Sequence, residues 1–156
     1  MMVNLRPAEE SDADYLYRVR TDPETVRQSA NRDGITREAH GDWLRRVLAD
    51  SNRRLYVAET PTWAGWEPIG TGRLDQADGI VTYSIAVAPE HRGRGYAVQV
   101  IEALLEEAQA LWPDSLAVAF VRQDNAPSLR AFLRAGFRGS CSDLLRLECH
   151  PASTQG

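Results

Sequence analysis

The sequence predicts an α+β fold in which a mixed β-sheet carries helices on its faces. Three observations point to it. Strand-like runs in the middle of the chain are separated by turns rich in Gly, Pro and Asp. An unbroken apolar run, SLAVAFV (115–121), lies between two helical segments, the β-α-β-α pattern of a parallel crossover. Hydrophobic residues make up 43 % of the 156 positions, enough to cover such a sheet and to exclude wholesale disorder.

VNLRPA reads as a first strand ended by Pro7. Ser11 is placed to cap the first helix, with Asp14 at capping-box distance, and that helix runs through DYLYRVR to Pro23. The polar stretch DPETVRQSANRDG reads as a connection closing at Gly34. Thr36 caps a second helix, in which Trp43, Leu44, Val47 and Leu48 recur at helical spacing. RRLYVAE is a strand, TPTWAGWEP a loop, IGTGRL a strand, and Asp75 to Gly79 a turn. IVTYSIAVA, β-branched and aromatic, is the clearest strand and stops at Pro89.

A Gly- and Arg-rich turn follows, then a long helix to about Trp112. Its expected buried positions are Val98, Ile101, Leu105 and Ala108; Gln99, Glu102 and Glu106 form its wet face. SLAVAFV reads as a strand buried on both faces. APSLRAFLRAG is a helix stopped by Gly136, FRGSCSDLLRLEC supplies two closing strands, and HPASTQG frays. The order is β, α, α, β, β, β, α, β, α, β, β, read as one domain over 1–156 with 151–156 as its tail.

A formal net charge of −4 argues against a general nucleic-acid binder. All 18 basic residues are arginine, which excludes a catalytic lysine, a Walker lysine and a Schiff base. Cys141 and Cys149 fit no zinc spacing; no metal is expected, and the two read as reduced thiols of a cytoplasmic protein. No run approaches the ~18 apolar residues of a membrane span, and MMVNLRPAEE lacks a signal peptide's apolar stretch.

The chemistry concentrates in HRGRGYA, residues 91–97. A strand, a Gly-rich turn and a helix together aim backbone N–H groups at the positive end of a helix dipole. Gly93 and Gly95 permit close approach, and Arg92 and Arg94 add donors suited to phosphate oxygens, which makes a pyrophosphate cradle. A P-loop would need Gly-Lys-Ser/Thr where Tyr96-Ala97-Val98 stands, and a dinucleotide fingerprint would need Gly at Val98. The pattern R-x-x-G-x-G/A is met at Arg92, Gly95 and Ala97.

In this context YSIAVAPEHRGRGYAVQVIEALLEEA resembles the acyl-CoA-binding core of the GCN5-related N-acetyltransferase (GNAT) superfamily, and NAPSLRAFLRAGF resembles that family's Asn-x-x-Ser…Gly-Phe helix. The resemblance runs along nearly the whole chain. It implies a GNAT-type, mostly antiparallel sheet with about four helices. It implies acetyl-CoA as cofactor, with pyrophosphate on Arg92, Gly93, Arg94, Gly95, Tyr96 and Ala97, and pantetheine paired like a strand with Ile85, Ala86 and Val87. A backbone N–H there would polarise the thioester carbonyl. Asn125 matches the family's pantetheine-contacting asparagine and is also a plain N-cap for the last helix.

The implied reaction is direct acetyl transfer to a primary amine, which needs a base and is helped by an acid. Many relatives place a tyrosine acid where this chain has Phe132, which cannot donate a proton. Ser128, on the same helix face, a water molecule, or no acid at all are the alternatives. For the base or acceptor contact, Asp75 and Asp78 read first as turn formers. Tyr83 and Ser84 face opposite sides of their strand, so only one reaches the acceptor. His40 has a pKa suited to base work, and His91 reads as a phosphate-rim or solvent residue.

The segment LYRVRTDPETVRQSANRDGITREAHGDWL loosely resembles a subgroup acting on nucleotide-linked amino sugars, with Arg20, Arg27 and Arg32 available to an anionic acceptor. Protein N-termini and other small amines stay open, as do a homodimer and a non-catalytic acyl-CoA-binding module. No nucleic-acid or membrane partner is expected.

Overall fold

The computed structural model describes residues 2–29, 32–140 and 144–151; Cys141 falls outside them. Its seven strands form one sheet in the order β1-β2-β3-β4-β5-β7-β6. They are β1 (Asn4–Pro7), β2 (Arg53–Thr62), β3 (Gly65–Ala77), β4 (Ile80–Val87), β5 (Leu116–Arg122), β6 (Arg138–Ser140) and β7 (Leu144–Cys149). All neighbours are antiparallel except β4 and β5, which run parallel. The described residues hold five α-helices: α1 (Ala13–Thr21), α2 (Pro23–Gln28), α3 (Arg37–Ala49), α4 (Tyr96–Leu111) and α5 (Ala126–Arg134).

The mixed, mostly antiparallel sheet is the expected one, and several elements correct the sequence reading in detail. The polar connection after α1 contains a further helix, α2: Pro23 stands in its first turn and the Asp22 side chain accepts from the Thr25 N–H, a start signal the polarity of the stretch concealed. Ser11 does not cap α1. It sits in a short 3-10 turn where the Asp12 carboxylate accepts from the Glu9 N–H at 2.8 Å. Thr36 does cap α3, its hydroxyl accepting from the Ala39 N–H at 3.1 Å.

The expected TPTWAGWEP loop is mostly strand, because β2 and β3 pair out to Thr62 and Gly65. Asp75 likewise belongs to β3, and the turn contracts to Asp78 and Gly79, both at positive φ. The face α4 buries includes Val100, Ile101, Leu104 and Ala108, with Val100 in place of the expected Val98 and Leu104 in place of Leu105; Val98 and Leu105 are partly buried against the same core. SLAVAFV is not buried throughout: Phe120 is 48 % exposed.

Two apolar clusters set the layers. On one face of the sheet, Tyr56, Leu74, Val81 and Tyr83 pack with α4 and with Phe132 and Phe137. On the other, Leu55 and Val57 pack with Leu16 of α1 and Leu44 and Val47 of α3. Gly72 is needed where α4 crosses β3: a Cβ there would lie 3.1 Å from the Leu104 methyls.

Candidate active site

The single parallel pairing shapes the site. β4 and β5 pair only through Ile80–Leu116, Val81–Ala117 and Thr82–Val118. Past that point β4 stays with β3 as far as Val87, while β5 stays with β7. The strands splay, and the β5-facing edge of Ile85, Ala86 and Val87 has no ladder partner among the described residues. A cavity of about 1020 Å³ opens there, large enough for an extended amide-bearing ligand.

At the end of the splay the chain turns into α4. Gly93 has φ 76° and Gly95 φ 80°, in the left-handed region that favours glycine. A Cβ at either would meet nothing within 4 Å, so the requirement is conformational and leaves open space beside the turn. Gly95 is the N-cap residue of the 16-residue α4, and no side chain caps that helix. The first turn of α4, at the positive end of the dipole, lines the cavity with Gly95, Tyr96, Ala97 and Val98, and among the described residues its N-cap supplies no side-chain bond.

The two arginines of the turn part company. Arg94 is exposed and makes no ion pair among the described residues. Arg92 is a strut: its Nε donates to the Val87 carbonyl at 3.1 Å, and its Nη2 to Asp22 Oδ2 at 2.7 Å and Thr25 Oγ1 at 3.2 Å. It ties the end of β4 to the start of α2, with much of its charge taken up by Asp22. Burial works to raise the Asp22 pKa, but the bonds from Arg92 and Thr25 outweigh it and hold the carboxyl below its ordinary value. His91 is not a solvent residue, although it lines the cavity next to the turn. It is 7 % exposed, with Nε2 3.5 Å from Glu67 and its ring edge-on to Tyr96 at 6.0 Å.

The expected catalytic and cofactor-contacting residues except Arg94 line this one cavity; Asp75, Asp78, Arg27 and Arg32 do not, and the two aspartates lie at a separate depression. Asn125 is the N-cap of α5, its Oδ1 accepting from the Ser128 N–H at 3.3 Å. Ser128 is half-buried, one turn before Phe132. Phe132 is 3 % exposed and packs edge-on against Phe137 at 5.0 Å, so an aromatic body here belongs to the core as well as to the cavity wall. Tyr83 points to the α4 side, against Phe137 at 5.5 Å, and burial, with Cys149 nearby, pushes its hydroxyl pKa well up. Its neighbour Ser84 therefore faces the α1/α3 side, where Arg73 Nη2 lies 3.5 Å from its hydroxyl.

His40 lies on that same side, 3 % exposed, between Tyr17 at 5.5 Å and Trp43 at 5.2 Å. Burial, seconded by the charge of Arg20, lowers its pKa, so the imidazole is neutral near pH 7. Arg27 pairs with Glu24 and Asp124, and Arg32 donates to the Arg27 carbonyl, so both serve α2. Sequence reasoning missed Asp22 as the partner of Arg92, and it missed Arg73, whose guanidinium lies over Trp43 at 5.5 Å. Arg73 was recoverable in part: strand alternation puts it on the same face as Ser84 once the β3–β4 register is known.

A family model described as an acetyltransferase (GNAT) domain matches residues 3–138. Spermidine N-acetyltransferase from Vibrio cholerae, solved with CoA and spermine, superposes with a TM-score of 0.86 at 17 % identity, over 97 % of this chain and 96 % of its own. A domain from Methanocaldococcus jannaschii DSM 2661 gives 0.82 at 15 % identity, over 95 % and 97 %. An aminoglycoside acetyltransferase solved with coenzyme A gives 0.74 at 20 % identity, over 95 % and 94 %. At such identities these likenesses are likenesses of fold, and no curated protein sequence matches significantly. The family model covers most of the chain, including the splayed strands and the glycine turn before α4, and on that ground the chain belongs to the GNAT acetyltransferase family.

Proposed function

We propose that the protein transfers an acetyl group from acetyl-CoA directly to the primary amine of a small acceptor, with the residues of the splayed cleft in the following roles. Acetyl-CoA, the cofactor of the family to which the chain belongs, supplies an activated acetyl thioester when bound. The observation that carries the reading is the splay itself: a β4 edge with no ladder partner among the described residues leads to the glycine turn at the N-terminus of α4.

The backbone of Ile85, Ala86 and Val87 pairs with the amides of the pantetheine arm, and one of its N–H groups holds the thioester carbonyl oxygen as negative charge grows on it. The N–H groups from Gly93 to Ala97 hold the pyrophosphate. Arg94 adds exposed charge, and Arg92 keeps the turn in place through Asp22. Asn125 shapes the start of α5. Ser128 hydroxyl donates a proton toward the departing sulfur, the role Phe132 cannot fill. The neutral imidazole of His40 is the group on the acceptor side able to take the amine's proton, through a water molecule. Tyr83 supports the wall from the core side.

The more specific acceptor suggested by the 16–44 segment, a nucleotide-linked amino sugar, rests on that segment's resemblance alone. A cytoplasmic setting rests on the cysteine usage, and among the described residues no helix is long and apolar enough to cross a membrane.

The test is release of free CoA from acetyl-CoA with a panel of primary amines, alongside acetyl-CoA binding by calorimetry. Turnover with at least one amine is expected, with Ser128→Ala lowering kcat by about ten- to a hundredfold and leaving acetyl-CoA affinity near wild type. Tight acetyl-CoA binding without turnover on any amine would instead favour a non-catalytic binding module.

A further inference from the structure

The acceptor end of the cavity has a charge that the acetyl donor does not explain. The cavity wall contains five arginines, Arg20, Arg73, Arg92, Arg130 and Arg134, and one carboxylate, Glu24. That carboxylate is already engaged: Arg27 donates to it twice, at 2.8 and 2.9 Å, and Gln28 once, at 3.0 Å. Bonds from Arg27 and Gln28 hold its pKa down to about 2. Arg92 belongs to the glycine turn, and Arg130 and Arg134 lie on α5 beside it. Arg20 and Arg73 do not: they come from α1 and β3, on the side of the sheet that carries His40, Trp43 and Ser84.

Arg73 is also underneutralised. It shares one carboxylate, Asp75, with Arg53: Arg73 Nε lies 2.9 Å from Oδ2 and Arg53 Nε 2.8 Å from Oδ1. Both guanidinium groups lie over the Trp43 ring, at 5.5 and 5.9 Å. Two cations on one anion and one ring leave a positive excess beside the splay. Trp43 and Asp75 fix the direction of Arg73, so its remaining N–H groups are preorganised to receive an anion. A polycationic acceptor would meet this excess with no free carboxylate among the described cavity residues to offset it.

We propose that Arg73, on the cavity wall that also carries Arg20, selects an amine acceptor that itself carries an anionic group, a carboxylate or a phosphate, and disfavours polyamines. This rests on the N-acetyltransferase reading above and sets the acceptor class apart from the spermidine named for the Vibrio cholerae structure. The anion sits on the arginines and the amine reaches the splay beside Ser84. Arg73 acts on binding and discrimination and takes no part in the bond changes.

The experiment compares matched acceptors differing only in the anion: phosphoethanolamine against ethanolamine, and glucosamine 6-phosphate against glucosamine, with spermidine and kanamycin as polycations. Acetyl transfer is read as kcat/KM, and binding to the CoA-saturated protein by calorimetry. The anionic member of a pair is expected to be favoured by about tenfold or more. Arg73→Gln should erase that preference through KM, Arg73→Lys should keep part of it, and Arg20→Gln should reduce it. Unchanged acetyl-CoA affinity and melting temperature in each variant show that the site and fold persist. Preference for the neutral or polycationic amines, equal treatment of each pair, or binding of no anionic amine to the CoA-saturated protein would overturn the proposal. Failure of the wild-type protein to bind acetyl-CoA would overturn the functional reading instead.

Discussion

At the scale of single residues, the same side chain often serves the site and the fold. Arg92 matches a motif position, yet its geometry is that of a strut between β4 and α2. Asp22→Asn should therefore weaken acetyl-CoA binding in the same direction as Arg92→Ala, about three- to tenfold, and the double variant should add little because the two form one contact. Calorimetric titration of all three variants checks this. His40 gives a pH signature. Its pKa is lowered from 6.5 by burial and then by Arg20, so the unfolded chain takes up a proton that the native state resists. Stability then falls as pH drops below about 6.5. The melting-temperature advantage of wild type over His40→Gln should be constant above about pH 7.5 and shrink steadily from pH 7 to 5.

At the scale of elements, helix starts are where local chemistry has most leverage. Thr36 accepts from Ala39, so Thr36→Ala should cost about 1 kcal/mol, measured by urea unfolding, with cofactor binding little changed because α3 does not border the glycine turn. A different kind of position is Gly70 in β3. A Cβ there would lie 2.3 Å from the Ala86 carbonyl oxygen, inside the very pairing that holds β4 in place beside the cleft. Gly70→Ala should destabilise by about 1–3 kcal/mol and, unlike Thr36→Ala, also weaken acetyl-CoA binding, because it displaces the strand edge itself.

At the scale of the whole molecule, Phe137 joins the parts. It is fully buried and packs on both Tyr83 of β4 and Phe132 of α5. Phe137→Ala should cost about 3–5 kcal/mol, lowering the melting temperature by roughly 10 °C for a protein of this size, as followed by circular dichroism. Saturating acetyl-CoA should restore part of the loss by mass action, about 2.7 kcal/mol at a hundred times its Kd.

Much of this was legible in the chain. β4 and α4 were readable because one is β-branched and ends at a proline, and the other has an apolar period near 3.6. The turn before α4 was readable because glycine at 93 and 95 marks left-handed backbone, which both residues adopt. α2 was missed because a six-residue helix shows almost no periodicity, and the β2–β3 hairpin was shortened because Pro61, Gly65 and Pro68 look like loop. The α4 face was misregistered because Val98 and Val100, and likewise Leu104 and Leu105, are equally apolar, so only the facing sheet could choose between them. By itself the sequence determined most of the sheet-and-helix order, the glycine turn before α4 and the absence of a proton donor at Phe132, all properties of near neighbours in the chain. Tertiary structure alone decided that Arg92 is spent on Asp22, 70 residues away, that Ser84 faces the α1/α3 side and Tyr83 the α4 side, and that Arg73 and Arg53 share one carboxylate. Those outcomes depend on strand register and on which charges meet across the fold, and no local pattern encodes either.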